Sequence, residues 1–527
     1  MAVGSWLAAH SVEIVFFTLI GGAFAYLLRI SRDGYFQGDD WLLIRQSGSV
    51  GGLLEPYNDH LSVTILAVYR ALVEVFGFSY WPFQVVGLVA LMGVPVAYFL
   101  TTRRTWGPPL AAILALSMLG FNNLEFYPAV LNHALVLIGA IGCAAALNRG
   151  RRADWVLALS LLFALCAAGG GVAVAVACLV HNLATRPAMR RWLAVVGPTF
   201  LWGCWWLIAG QRESQFRPAE ASTLRETLGY ARVIVSTPFE HLSLGIGVLA
   251  VALAGIFVAY GLWRLRQGLA AAATFLAWTT AMVVWAVGLA YSRGARGIAD
   301  FVAVQDGVFY RYQVLALGFG LLAVVPRHPI TWPKWLPAGT GSRWLPIAAL
   351  LVLTIGVTEA RTIRNDVQTR ADTIEVRGRV TRGTLLVLDL GPDVVPNRST
   401  VPLAFSGLQA GVVRALIDRY GSPISTTFDT IDQQLVDLGI ASARLTFRRD
   451  LECSPVTEPF TWLQTGIRPL YLWSDEPTWT VEVRRFGTNW ISIAEARADQ
   501  GVRLELPTFV TDAPWQVRAD GSCRRAT

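Results

Sequence analysis

Eleven apolar runs, joined by short polar connections, occupy the first 359 residues. About 20 apolar residues cross the hydrocarbon of a bilayer as a helix, and only 15% of this chain is charged. A charge content so far below that of soluble proteins excludes an ordinary cytosolic enzyme. The predicted spans are 8–28, 80–100, 108–124, 127–147, 155–168, 171–183, 192–209, 243–263, 269–291, 310–326 and 344–358.

Arginines concentrate in alternate connections between these runs, and cytoplasmic loops carry an excess of Arg and Lys. The basic connections are those containing Arg103, Arg104, Arg149, Arg151, Arg152, Arg186, Arg190, Arg191, Arg264, Arg266, Arg327, Lys334 and Arg343. We therefore expect a plasma-membrane protein with a cytoplasmic N-terminus, and outer loops 29–79, 121–127, 210–242 and 292–310. The net charge of +8 does not point to nucleic acid, because no basic run with interleaved aromatics occurs.

The stretch from Trp155 to Thr185 contains no Asp, Glu, Lys or Arg. As one helix it would be about 46 Å long, too long for a hydrocarbon layer of roughly 30 Å. A break at Gly169-Gly170-Gly171 would give two short helices and return both flanking basic loops to one side. Because lipid cannot satisfy free backbone groups, such a break must be covered by protein or line a cavity; the alternative is a kinked helix.

In loop 29–79, the apolar spacing of His60 to Phe78 predicts a surface helix. The residues after the last span predict a second, outer domain. Residues 360–527 read as an extracytoplasmic α+β or β-rich domain. Its predicted elements are a helix at 407–420 and strands at 384–389, 471–473, 479–486, 502–506 and 515–517. The predicted fold is thus an α-helical polytopic membrane domain of about eleven spans (1–359) followed by this domain (360–527).

The six cysteines divide between the two regions. Cys143, Cys166, Cys178 and Cys204 lie in apolar runs and read as small buried side chains. Cys453 and Cys523 are the pair in the outer domain, where an oxidising compartment favours a disulfide between them. With no C-x-x-C or Cys/His cluster, a zinc site is not expected.

Carboxylates gather on the predicted outer face, where they are costly unless paired, solvated or functional. The acidic pair Asp39-Asp40 precedes the apolar residues that follow Trp41, and Asp59 and Glu125 lie in outer loops. Adjacent acids cannot share one helix face. One acid can therefore face a cavity while the other caps a helix; the simpler alternative is an N-cap with a solvated neighbour.

A first span, a long outer loop opening with an acidic pair, and a glycine break between short spans resemble the GT-C superfamily of multi-pass glycosyltransferases. The resemblance covers residues 1–330 as architecture. It implies transfer of a hexosyl or pentosyl group from a polyprenyl-phosphate-linked donor to an outer-surface glycan or glycolipid, with inversion. It also implies that an acid of the first outer loop is the general base. The matching positions here are Asp39 and Asp40, and we favour Asp39 as the base with Asp40 orienting, the alternative being the reverse. The Arg-rich, Ala-rich composition suits an actinobacterial envelope enzyme of cell-wall biogenesis, such as the arabinofuranosyl- and mannosyltransferases of this superfamily.

A leaving phosphate favours arginine, whose planar fork matches phosphate oxygens. The outer-face candidates are Arg293, Arg296 and Arg311, and the Arg311-Tyr312 pair resembles the Arg-Tyr that several GT-C enzymes carry at a late span. The alternative is an arginine that snorkels at a helix end.

Four further positions, Asp59, His60, Glu125 and His133, are candidates for binding substrate. The alternative for Asp59 is a helix cap. Glu125, with Asp39 or Asp40, could form an oxygen-rich site for a divalent cation, although no cofactor is required with lipid-monophosphate donors of this superfamily. His60, after Asp59, and His133, one turn into the fourth span, could contact acceptor or donor; the alternative for each is a structural histidine.

Two other function classes stay open. A transporter or flippase for a lipid-linked sugar predicts pseudo-symmetric halves and ionisable residues in mid-membrane, and a non-catalytic envelope assembly protein predicts replaceable acids. The sequence lacks G-x-x-x-x-G-K-[ST], G-x-S-x-G and H-E-x-x-H, so pump ATPases, the usual hydrolases and zinc proteases are not favoured. The absence of a W-W-D-like triplet argues against the oligosaccharyltransferase branch.

Overall fold

A computed structural model describes two compact units. The described residues are 10–31, 36, 39–57, 60–120, 127–149, 153–210, 224–243, 246–293, 310–326, 408–421, 444–448, 462–464, 470–472, 477–484, 489–497, 500–505 and 515–519. The first unit comprises Met1–Arg29, Leu43–Gly77 and Trp81–Ala360. The second comprises Ile30–Leu42, Phe78–Tyr80 and Arg361–Thr527.

Helices account for the described residues up to 326. They are α1 (Ser11–Ser31), α2 (Asp39–Ser47), α3 (Val63–Phe76), α4 (Trp81–Trp106), α5 (Pro108–Leu116), α6 (Tyr127–Leu147), α7 (Asp154–Leu165), α8 (Gly170–Thr185), α9 (Met189–Trp205), α10 (Leu224–Leu242), α11 (Gly247–Arg266), α12 (Leu269–Arg293) and α13 (Tyr310–Ala323). A short 3-10 turn (Gly52–Leu54) follows α2, and a π turn (Trp206–Gly210) extends α9.

Ten of the eleven predicted spans coincide with these helices, and the run 344–358 lies outside the described residues. Among the described residues, five helices are long and apolar enough to cross a membrane by length and composition, and five more are apolar but shorter. The chain is therefore a multi-pass membrane protein.

The break predicted between 155–168 and 171–183 is confirmed. Helix α7 ends at Leu165 and α8 begins at Gly170. At Gly171 an added Cβ would collide with the carbonyl of Ala164. The chain can therefore turn this tightly only with glycine there.

The break brings the two flanking basic segments to the same end of the bundle. Arg191, at the start of α9, donates from Nε to Oδ1 of Asp154 at 3.0 Å. It also donates to the carbonyl oxygens of Leu147 (3.3 Å) and Arg149 (2.8 Å). We call this the basic end. Because the Asp154 side chain is 4% exposed and that of Arg191 14%, the pair is one interior ionic contact that ties α6, α7 and α9 together.

Helix α10 lies within 210–242, which the sequence analysis placed between two spans without predicting a helix there. Its charged residues hid the helix from a search for uncharged runs. The buried residues follow helical spacing and include Thr227, Tyr230, Ala231, Ile234 and Thr237. This face packs against α12 and α13.

The predicted surface helix of the first long loop is α3, three residues shorter at its start than expected. Its apolar face is covered by protein, because Ile65, Leu66, Tyr69 and Val73 are buried. The Tyr69 ring contacts Phe83 of α4 edge-on at 5.1 Å between centroids. Trp205 at the end of α9 donates from Nε1 to the carbonyl of Leu54 at 2.7 Å, which anchors the 3-10 turn of the same loop.

In its described residues, the second unit contains helix α14 (Ala410–Tyr420) and seven strands. The strands are β1 (Arg444–Arg448), β2 (Trp462–Gln464), β3 (Leu470–Leu472), β4 (Thr478–Arg484), β5 (Ile491–Arg497), β6 (Gly501–Glu505) and β7 (Trp515–Ala519). They form antiparallel sheets of order β1-β6-β3 and β2-β7-β4-β5.

Both sheets contribute to one apolar core. Its buried members are Leu472, Trp479, Val481, Val483, Ala496, Val502, Leu504, Trp515 and Val517. The α+β prediction is confirmed, as are its helix and four of its strands; β1, β2 and β5 were not predicted. The predicted strand 384–389 and the Cys453–Cys523 disulfide fall outside the described residues.

We expect Asp154→Ala to destabilise the protein by about 1–3 kcal/mol, because it leaves the partly buried guanidinium of Arg191 without its carboxylate. Thermal unfolding in detergent micelles measures the loss. The matched control is Glu13→Ala, since Glu13 meets Arg103 at 3.9 Å in a more exposed pair and should contribute less than about 1 kcal/mol. Equal decreases in melting temperature for the two variants would show that the Asp154–Arg191 pair stabilises the fold no more than the more exposed Glu13–Arg103 pair does.

Candidate functional site

The predicted site residues divide into those with described side chains and those without. The side chains of Asp40, His60 and His133 are described. Asp39, Arg293, Arg311 and Tyr312 lie in helices, but their side chains are outside the described set, as are Asp59, Glu125 and Arg296 altogether.

Asp40 is a fully buried carboxylate at the start of α2, in the second unit. The next residue, Trp41, belongs to a cluster of aromatic rings with Phe36, Phe78 and Tyr80. The Phe36 centroid lies 4.9 Å from that of Tyr80, and the Trp41 centroid 5.0 Å from that of Phe78. Phe78 also contacts Tyr420 of α14 at 6.1 Å.

The simpler interpretation of the acidic pair was one helix N-cap and one solvated carboxylate. Because Asp40 is buried, it is not the solvated one. Burying a carboxylate is costly unless it is hydrogen-bonded or paired, although the first turn of a helix favours negative charge.

His60 is fixed by a tight turn rather than by a helix. Tyr57 and His60 exchange backbone hydrogen bonds, each of 3.0 Å. Gln46 of α2 supports the chain before the turn, donating from Nε2 to the carbonyls of Gly52 (3.2 Å) and Glu55 (2.9 Å). Because α3 begins only at Val63, the prediction that this helix begins at His60 was wrong.

This turn places the His60 ring directly on the glycine break. A Cβ added to Gly169 would lie 2.5 Å from Cε1 of that ring. Nearby, the Thr64 N–H at the start of α3 donates to the carbonyl of Cys166 at 3.0 Å. The outer loop therefore covers the break and satisfies a carbonyl that lipid could not.

Three further helices meet at the same break. A Cβ at Gly170 would approach Leu315 of α13 at 2.7 Å, Val136 of α6 at 3.2 Å and Trp285 of α12 at 3.7 Å. The ring of His133, which is 5% exposed, lies edge-on to Trp285 at 5.9 Å. We call this meeting point, defined by His60, His133, Gly169, Gly170 and Trp285, the break cluster.

One of the predicted phosphate-binding arginines, Arg311, has its backbone within one helical turn of the break cluster, whereas Arg293 lies farther away. Arg311 lies one turn before Leu315 at the start of α13, and Arg293 ends α12 about 12 Å along the helix beyond Trp285. Helix α8 also begins here, and a helix N-terminus carries partial positive charge. The described part of the cluster therefore combines two imidazoles with the positive end of a helix, which together suit an anionic oxygen ligand.

A surface on the second unit was missed by the sequence analysis. The Trp490 ring lies 4.5 Å from the guanidinium carbons of both Arg484 and Arg518. Arg484 donates to Oε1 of Gln516 at 2.5 Å, and Arg518 is paired with Glu482. We call these five residues the Trp490 surface. The alternation of β4, which sends Trp479, Val481 and Val483 inward, was the signal that its other side chains share the outer face.

The chemistry of the Trp490 surface is that of a polyol-binding face. A partly exposed indole offers a flat apolar face to the C–H side of a sugar ring, and planar amide, carboxylate and guanidinium groups offer directional hydrogen bonds. Their mutual contacts hold them in place, which lowers the entropy lost on binding.

No group of three or more His, Cys, Asp or Glu residues among the described part of the chain could hold a metal ion. Because Glu125 and the Asp39 side chain lie outside that part, the predicted divalent-cation site at these acids stays a prediction.

Comparison with known proteins gives one structural likeness. The crystal structure of ArnT from Cupriavidus metallidurans bound to undecaprenyl phosphate matches with 15% sequence identity and a TM-score of 0.44. The match covers 83% of this chain and 93% of that chain. No family model and no curated protein matches. A likeness this weak does not decide the function, which rests on the chain's own residues.

We expect Gly169→Ala to destabilise the protein by about 1–3 kcal/mol, the usual effect of overpacking, because the new methyl group overlaps the His60 ring. Thermal unfolding in detergent tests it. Gly197→Ala in α9 is the control: nothing lies within 4 Å of an added Cβ, so the better helix former should be neutral or stabilising.

A double-mutant cycle identifies the contact itself. If the His60 ring causes the clash, adding Gly169→Ala to a His60→Ala background should be much less destabilising than adding it to the wild type. Additive effects would contradict the contact.

Proposed function

We propose that this chain is a membrane glycosyltransferase of the GT-C type. It transfers a hexosyl or pentosyl group from a polyprenyl-phosphate-linked donor to an extracytoplasmic glycan or glycolipid acceptor. The observation that carries this proposal is the buried carboxylate of Asp40, next to Asp39 in the loop where the resemblance expects the general base.

In the proposed reaction, the Asp39 carboxylate takes the proton of the acceptor hydroxyl, and Asp40 orients the Asp39 side chain. The hydroxyl oxygen attacks the anomeric carbon of the donor on the face opposite the phosphate. The bond between that carbon and the phosphate oxygen breaks, and the oxygen leaves with the electron pair. The product is glycosylated acceptor with inverted configuration, together with polyprenyl phosphate.

The departing phosphate gains charge, and fixed positive groups that stabilise this charge in the transition state accelerate the reaction. We assign this role to Arg311, with Arg293 and Arg296 as further candidates and Tyr312 beside them. The positive end of α8 at Gly170 supports this choice, because Gly170 contacts Leu315, about one turn after Arg311 in α13. His60 and His133 would contribute hydrogen bonds to donor or acceptor oxygens.

The proposed orientation places the basic end in the cytoplasm of a cell-membrane protein, with the N-terminus inside and the C-terminal domain outside. Contact between the Arg149 and Arg191 segments supports it, since both belong on the positive side of one membrane. Residues 360–527 form the proposed extracytoplasmic domain, and the donor's isoprenoid lies in the bilayer.

A transporter is less well supported. Transport sites place ionisable residues near the middle of spans. Among the described residues, the buried carboxylates are Asp40 and Asp154, and each lies in the first turn of a helix. Acids at helix ends suit chemistry or anchoring near a membrane face.

We expect Asp39→Asn to lower the rate of sugar transfer by at least about 100-fold, because general-base catalysis contributes roughly 10²–10⁴-fold. Asp40→Asn should also reduce the rate. The assay follows transfer from polyprenyl-phosphate-linked pentose and hexose donors by purified protein, with detergent melting curves to confirm folding.

Glu13→Gln removes one carboxylate elsewhere and serves as the control. Full turnover by both Asp variants would remove these acids from the mechanism. No turnover by folded wild-type protein with any of the donors would favour the assembly-protein alternative.

The Trp490 surface supports a role for the second unit in holding the acceptor. A soluble domain gains little from an arginine-flanked indole on its outer face unless a ligand covers it, and a glycan has the matching chemistry. This role predicts an effect on acceptor binding that is separate from the chemical step.

We expect Trp490→Ala to raise the acceptor KM about 10-fold with kcat nearly unchanged, because stacking on an aromatic ring is a ground-state interaction retained in the transition state. Steady-state kinetics with varied acceptor measures the split. Trp263→Ala, on a 53% exposed indole of α11, is the control and should leave KM unchanged. A fall in kcat alone would contradict the binding role.

A further inference from the structure

Three arginines at the basic end, Arg149, Arg186 and Arg190, are exposed beside the Asp154–Arg191 pair. Arg191 neutralises Asp154. Arg190 is 73% exposed and lies 3.9 Å from the same carboxylate, which already has a closer partner. Arg149 and Arg186 make no ion pair with any residue that the structure describes.

The Arg191 contacts hold these three arginines near one another. Arg149 accepts a hydrogen bond from Arg191 through its carbonyl, and Arg190 adjoins Arg191 in sequence. The Asn182 amide donates to the Arg191 carbonyl at 3.4 Å, and Arg186 lies one turn beyond Asn182, donating its N–H to the Asn182 carbonyl at 2.8 Å. The result is a concentration of positive charge at one point of the bundle.

Arg186 keeps an unfavourable backbone conformation at this point. Its φ is 47°, and it is the one non-glycine residue with positive φ among those described. Glycine or asparagine is usual where a helix ends in this way. Arginine at this position is therefore less favourable for the backbone conformation than glycine or asparagine would be.

An exposed apolar face begins directly beside the arginines. Trp155 follows Asp154 on α7 and is 62% exposed, and Leu159, one turn further, is 57% exposed. On the neighbouring helix α9, Leu193 lies three residues after Arg190 and is 63% exposed. In a membrane protein, such a face meets acyl chains, and a tryptophan at its end lies at headgroup level.

We infer that this basic end binds an anionic phospholipid, with its phosphate between Arg149, Arg186 and Arg190 and its acyl chains along Trp155, Leu159 and Leu193. A soluble phosphate would use only the arginines, whereas a phospholipid uses both the charge and the apolar face. Basic pockets between membrane helices recognise lipid headgroups in this way. The site is separate from the proposed transfer reaction and does not depend on it.

The test measures lipid retention by the full-length protein in detergent, using phosphatidylglycerol and phosphatidylcholine with identical acyl chains and native mass spectrometry. We expect preferential binding of phosphatidylglycerol. Arg190→Gln and Arg186→Gly should each weaken it about fivefold, the usual effect of one basic residue beside an anionic surface.

The variant Arg186→Gly separates binding from folding, because glycine relieves the positive φ. Its melting temperature without lipid should equal or exceed that of the wild type while lipid binding falls. Arg266→Gln, which removes an exposed charge at the end of α11, is the control and should retain wild-type binding.

Three results would overturn the inference. They are equal binding of the two lipids by the wild type, an equal loss in Arg266→Gln and Arg190→Gln, and displacement of phosphatidylglycerol by millimolar inorganic phosphate. The last result would identify a simple anion site without a lipid component.

Discussion

The hydrogen bond from the Thr64 N–H to the Cys166 carbonyl meets the strongest structural constraint on a membrane protein, which is that backbone polar groups be hydrogen-bonded within the protein. Hydrocarbon offers no partner to a free backbone group, so a helix that stops within a bundle must find its partners in protein. Here the first long loop provides one, and the His60 ring covers the next part of the break at Gly169. The short helices α7 and α8, and the meeting of α6, α12 and α13 at Gly170, all depend on that cover.

The same constraint explains which parts of the fold could be predicted. The break followed from length, because an uncharged stretch from Trp155 to Thr185 was too long for one span. The positions of ten apolar runs followed from composition. Helix α10 did not, because its buried face of Thr227, Tyr230 and Ile234 is polar enough to look like a loop until helical periodicity is applied.

The site was less predictable than the fold. The sequence singled out His60, His133 and Arg311 one by one, but nothing in it indicated that Gly169 contacts His60 or that Trp285 lies beside His133. Such pairs are set by long-range packing, which local pattern does not encode. The Trp490 surface was hidden for the same reason, since its residues come from three separate stretches of chain that only strand register brings together.

Helix α9 has an anchor at each end. Arg191 ties its first turn to α6 and α7, and Trp205, about 21 Å further along the helix, holds the turn at Leu54. A displacement of α9 along its axis would therefore pull on both anchors at once. Helix α9 therefore connects the two ends of the first unit through hydrogen bonds. Through it, a movement of the loop that covers the glycine break would be transmitted to the arginines at the opposite end.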